Sequence, residues 1–185
     1  MVKKETWYVV GAFAVLLLVA LVVQRQQAAE AAEVVPTPRP VVLLLDVTQI
    51  AGLEIEGPDG ARAALSLGAD GQWVMDEPPA TAAEVDQFTV QSAISGLGTL
   101  YEQSALDPIS DLASVGLATP EYVIRILLLD GSNQELEVGG KTFNGGAYYV
   151  RVPGNDPQLV NLFTLDAVLD LLRTPPLIPA TGGEP

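Results

Sequence analysis

Residues 135–150 read ELEVGGKTFNGGAYYV, and the fold depends on how the Gly-Gly-Lys-Thr at its centre is taken. As the tail of a nucleotide-binding loop it would open a helix and bring phosphate chemistry with it. As a connection between two strands it would make this half of the chain a β-meander. A phosphate loop needs a glycine five residues before its second glycine. Counting back from Gly140 lands on Glu135, whose carboxylate would repel phosphate. The chain then runs into Asn144-Gly145-Gly146 and an apolar Tyr-Tyr-Val run, the signature of a turn and a strand. The stretch is therefore read as a long hairpin connection, with no nucleotide partner and no role for Lys141 in one.

Outward from this point the period of two continues. Leu136 and Val138 alternate with Glu135 and Glu137, and Tyr148, Val150 and Val152 alternate with Tyr149 and Arg151. Upstream, Tyr122–Leu129 is almost wholly apolar, as a central strand would be, and Asp130-Gly131 turns it. Downstream, Thr164 is placed as the cap of a helix carrying Leu165, Val168, Leu169 and Leu172, stopped by Pro175-Pro176.

The first half of the body has the same order. Strand signals begin around Val41, and Leu53 and Ile55 alternate with Glu54 and Glu56. Pro58-Asp59-Gly60 turns the chain into Ala61–Leu67, and Asp70-Gly71 turns it again into Gln72–Met75, which carries Trp73. Thr81 and Glu84 have the spacing of a capping box, so a helix is expected to start there. Ala82, Ala83, Val90, Ala93, Ile94, Leu97, Leu100 and Tyr101 would share its buried face, and Phe88 falls off that stripe. The shared order suggests a loose structural repeat, with no sequence-level period to support it.

Composition narrows the chemistry. The 185 residues include no cysteine and no histidine, which excludes disulfides, thiolate nucleophiles, imidazole bases and zinc sites. Past Gln26 six basic residues face 22 acidic ones, a balance that repels nucleic acid and anionic lipid. The pairs Glu54/Glu56 and Glu135/Glu137 read as solvated strand faces, Asp76-Glu77 as a loop, and no calcium loop or G-x-S-x-G element occurs. Ile178–Gly182 resembles a sortase sorting signal but lacks the hydrophobic and basic residues that must come after one. No catalytic, cofactor-binding or metal-binding residue is singled out.

Residues 6–24 carry no charge between Glu5 and Arg25 and would span about 28 Å as a helix, close to the thickness of a bilayer core. Trp7 and Tyr8 stand at one end, where aromatic rings favour the interface. A cleavable signal peptide, with Lys3 and Lys4 ahead and Ala29-Glu30-Ala31 as its site, competes; the apolar run is longer than its usual core. The expected organisation is a cytoplasmic segment 1–5, a single transmembrane anchor 6–24, an Ala/Glu/Pro linker 25–40, an extracytoplasmic domain 41–174 and a Pro/Gly-rich tail 175–185. The expected fold class is α+β: two antiparallel meanders, each followed by a helix, behind the anchor.

Five features in order resemble an uncharacterised bacterial family, the domain of unknown function 4340. They are Trp73 with Pro78-Pro79, Asp86 entering a helix, Gly116-Leu117 with Pro120, the strand and Asp-Gly turn of 122–131, and the Gly-turn-Tyr-Tyr-Val-Arg of 139–151. The resemblance covers roughly residues 45–173. It implies tethering by an N-terminal transmembrane helix, and for some members a place beside auxiliary components of ABC-type transport systems. It supplies no catalytic residues. The function expected is a non-enzymatic scaffold or accessory subunit of an envelope complex with a protein partner; a glycan- or ligand-binding module and a carboxylate-only hydrolase are the alternatives.

Overall fold

A computed structural model describes residues 39–76 and 83–179. The chain divides into two units, Met1–Pro38 and Arg39–Pro185, and the described residues belong to the second. The elements run β1 (Val41–Leu44), β2 (Ile50–Glu56), β3 (Arg62–Leu67), β4 (Trp73–Met75), β5 (Ala83–Val85), α1 (Gln87–Leu97) and β6 (Thr99–Tyr101). After a loop with a 3₁₀ turn at Leu112–Val115 come β7 (Tyr122–Leu128), β8 (Asn133–Lys141), β9 (Ala147–Arg151), β10 (Gln158–Asn161), α2 (Leu162–Arg173) and β11 (Leu177–Pro179).

The expected α+β class, with two separate meanders behind a transmembrane helix, is corrected. The described structure is mostly β, and the meanders are one antiparallel sheet in the order β10-β9-β8-β7-β2-β3-β4. Fusion occurs where β2 meets β7, with Leu53 opposite Ile126 and Ile55 opposite Ile124. All four side chains are buried, so pairing the two innermost strands joins two apolar rows into one face. No helix among the described residues is long and apolar enough to cross a membrane, and the expected span 6–24 lies outside the described residues.

Both helices cover that apolar face. Val90, Ala93, Ile94 and Leu97 of α1 and Leu165, Val168, Leu169 and Leu171 of α2 are buried in one core with Leu53, Ile55, Ile124, Ile126, Leu136, Val138, Tyr148 and Val150. Each Val, Leu or Ile among them contributes about 1.5–3 kcal/mol on full burial. A Cβ on Gly96 would come 3.5 Å from Thr164 Cγ2, so the last turn of α1 meets the first turn of α2.

Both helix starts differ from expectation. Thr81 lies outside the described residues, and Glu84 sits in β5, which finds backbone partners in β11: Leu177 opposite Val85 and Ile178 opposite Glu84. The cap of α1 is Asp86, whose carboxylate accepts from the backbone N–H of Phe88 and Thr89 at 3.0 and 3.2 Å. The cap of α2 is Asn161, accepting from Phe163 N–H at 2.9 Å, because β10 runs straight into the helix. Consequently Leu100 and Tyr101, expected on the helix, lie in β6.

The Gly139-Gly140 pair is part of β8, not of the turn after it. The register with β9 shifts between Val138 and Lys141, so the pair lies at an irregularity in the ladder. A Cβ on Gly139 would fall on the Val115 carbonyl oxygen, and one on Gly116 (φ 74°) would come within 2.8 Å of Gly140 N. The glycines are there so that two backbones can touch. Lys141 ends the strand with its Nζ 5.1 Å from the centre of the Tyr148 ring.

Candidate interaction site

β4 is an edge of the sheet. Trp73 and Met75 point into the core and Val74 points out, 49% exposed. At Trp73 the edge-facing backbone groups are taken by a side chain. Gln87 Oε1 accepts from Trp73 N–H at 2.7 Å, and Gln87 Nε2 donates to the Trp73 carbonyl at 2.8 Å and to the Val85 carbonyl at 3.2 Å. Gln87 can reach because Asp86 fixes the start of α1, and Asp86 is itself held by a hydrogen bond from its N–H to the Pro176 carbonyl at 2.7 Å. One amide thus occupies the space between β4 and β5.

Around it lies an open groove of about 680 Å³, floored by Trp73 and flanked by Val74, Phe88 and Ile178. Phe88 is 81% exposed and Ile178 48% exposed, so both present apolar surface to water. Asp70, Glu84 and Asp86 supply the charge of the lining, and among the described residues no cation lines it. The Thr89 hydroxyl and backbone N–H hold the Asp86 carboxyl below its ordinary pKa, with Phe88 N–H adding to the effect, so it stays ionised.

A second polar assembly sits against α2. Tyr148 is buried, and its hydroxyl donates to Asp166 at 2.7 Å and accepts from Arg173 at 3.1 Å. Arg173 also pairs with Asp166 at 2.9 Å and lies over the Tyr122 ring, 5.2 Å from its centre. Burial pushes the Tyr148 pKa up. Burial opposes ionisation of Asp166, but hydrogen bonds from Tyr148 and Arg173 outweigh it and lower its pKa. Each member is partnered by another, which describes a structural clasp.

The candidate residues of the sequence are scattered. Glu54, Glu56 and Glu135 are on the outer sheet face, all paired with Arg125 at 3.0–3.2 Å, and Glu137 pairs with Arg151. Asp76 accepts from Ser66 Oγ at 2.6 Å, while Glu77 lies outside the described residues. Ile178 and Pro179, within the expected Pro/Gly-rich tail 175–185, belong to β11. Among the described residues no group of three or more carboxylates is placed to hold a metal. Sequence reasoning missed Gln87, Val74 and Ile178 and left Phe88 unplaced. The available signal was a shared pattern at the two helix starts, Asp86-Gln-Phe-Thr-Val and Asn161-Leu-Phe-Thr-Leu. It marks both caps and leaves Phe88 and Phe163 in solvent.

A family model described as a domain of unknown function (DUF4340) matches residues 73–167, from the floor of the groove to the middle of α2. No curated protein and no solved structure matches the chain.

Proposed function

We propose, for a chain that belongs to the DUF4340 family, a non-enzymatic role as an accessory or scaffold subunit of a cell-envelope assembly, in which the β4 groove docks a partner protein. The observation that carries this reading is the groove itself. Val74, Phe88 and Ile178 expose apolar surface around a sheet edge that no strand among the described residues extends, a combination that soluble surfaces rarely leave bare. The uncharged stretch of residues 6–24 supports a place at the cell membrane, with the acidic body outside the cytoplasm.

A photo-crosslinking residue at Phe88, in the full chain in its native cells, tests the reading against the same residue at Leu129, which is exposed in the β7–β8 turn. One discrete adduct from position 88, absent from position 129, is expected. Equal crosslinking from both positions, or from neither, overturns the docking role.

A second reading, a glycan-binding module, draws on a shallow depression lined by Phe143, Tyr149, Asn144 and Gln103. An exposed aromatic beside amide groups is what a sugar face requires. Saturable binding of soluble cell-wall glycan fragments, lost in Phe143→Ala and kept in Phe88→Ser, would favour it over docking.

A further inference from the structure

We infer that the β4 groove receives an extended, basic segment of a different protein, which joins the sheet as an added strand. This rests on the docking reading and names the kind of partner.

The chain's own second half shows a third strand with a neighbour on its outer side. The strand matching β4 there is β9: each is third in its meander and puts an aromatic, Trp73 or Tyr148, into the core. The outer edge of β9 carries β10, with Gln158 opposite Val150 and Val160 opposite Tyr148. The counterpart of β10 is β5, and β5 pairs with β11 instead. Among the described residues no strand pairs with the outer edge of β4. The Gln87 amide occupies that place, accepting from the N–H and donating to the carbonyl of Trp73 as the C=O and N–H of one residue on an added antiparallel strand would. A half-buried side-chain amide at a helix start can rotate away, releasing Trp73 and the Val85 carbonyl, so an arriving backbone takes over the pair at Trp73 and continues along Met75.

The lining states the chemistry of the occupant. A strand alternates its side chains between two faces. Val74, Phe88 and Ile178 suit apolar residues, while Asp70, Glu84 and Asp86 suit lysine or arginine between them. The same charges argue against a second copy of this chain, whose formal net charge is −14.

The test uses the full chain in detergent, with Trp7→Phe so that Trp73 is the sole tryptophan. The probe is a synthetic peptide of alternating lysine and valine. Saturable change in Trp73 emission is expected, weakened about tenfold or more by Phe88→Ser and by Glu84→Lys. Both residues are exposed, so the melting temperature should hold in both variants. Gln87→Ala should tighten binding, because the placeholder is gone. Equal binding of a lysine–valine peptide interrupted by proline overturns strand addition, since proline cannot pair. Equal binding of a glutamate–valine peptide overturns the charge assignment, and concentration-dependent dimerisation through Phe88 replaces the partner with a second copy. Failure of the lysine–valine peptide with the Phe88 crosslink intact sinks only this inference; loss of that crosslink sinks the docking role beneath it.

Discussion

The two halves of the sheet are built alike and finished differently. β2-β3-β4-β5-α1 and β7-β8-β9-β10-α2 follow one order, and they meet back to back where β2 pairs β7. The strand after each helix crosses toward the other half: β11 pairs with β5, and the chain just past β6 makes a bridge to β10 from Glu102 to Val160. In the second half the fourth strand extends the sheet and becomes its other edge, bridged at Val160 by Glu102. In the first it turns away to β11, leaving a groove bridged by one glutamine. Two copies of one architecture are finished differently: one third strand carries β10 on its outer side, and among the described residues the other carries no strand there.

The two halves should respond alike, and most strongly, at the paired aromatics. Trp73 is 5% exposed and Tyr148 1% exposed, each under the helices. Truncating a buried aromatic costs about 3–5 kcal/mol, a large share of the roughly 5–15 kcal/mol that holds a domain together. Trp73→Ala should therefore move the urea midpoint as far as Tyr148→Ala does, and Trp73 should emit at short wavelength in a Trp7→Phe background. A midpoint shift for Trp73→Ala no larger than that of an exposed residue would mean that the first half contributes only surface at this strand.

A smaller effect separates the edges. Gln87 has Leu162 as its positional counterpart, one residue after the helix cap in each half. Gln87→Leu makes the two helix starts alike at this position and strips the Trp73 N–H and carbonyl of their amide partner. Leaving such groups without a partner costs about 1–3 kcal/mol, toward the lower end where water can reach them. Hydrogen exchange should read it locally. The Trp73 amide should lose protection while the amides of β9, held in ladders on both sides, keep theirs. Unchanged exchange at Trp73 would show that the edge is covered by something other than Gln87.

The strands were legible because period two survives in them: Leu53/Ile55 against Glu54/Glu56, and Leu136/Val138 against Glu135/Glu137, fall inward and outward as the alternation says. So was the strand that carries Trp73, from the Asp70-Gly71 turn ahead of it. The joining of two meanders was not, because pairing between β2 and β7 is a contact between segments about seventy residues apart, and either apolar run could have ended a sheet of its own. The short strands β5, β6 and β11 span three residues each, too few to show a period. The capping box at Thr81 and Glu84 misled for a related reason. A local match competes with tertiary partners, and β11 gives β5 a backbone ladder while Asp86 offers α1 a better-placed carboxylate. The groove was least visible, since it lies where, among the described residues, no strand pairs with the outer edge of β4.

The smallest expected effect concerns acid, and it belongs to the second half. Asp166 is held by the Tyr148 hydroxyl and the Arg173 guanidinium, and the first half, with Trp73 in place of Tyr148, has no hydroxyl to build such a clasp. Burial works against the Asp166 charge, yet those hydrogen bonds, helped by the charges of Lys141 and Arg173, carry its pKa below the ordinary value. An unperturbed Asp titrates near about 3.9. A group whose folded pKa is depressed contributes stability that is complete above the unfolded pKa and is lost as pH falls through the folded one. Asp166→Asn should therefore be less stable than the wild type at neutral pH, and the gap should narrow as pH drops below about 4. The difference between the two unfolding curves isolates Asp166 from Asp46, Asp86 and Asp130, whose pKa values are also lowered, by hydroxyl and backbone hydrogen bonds in turns and caps. A gap that stays constant from neutral pH down through the acid range would assign the loss to the missing contacts alone, and would leave the clasp without a charge to protect.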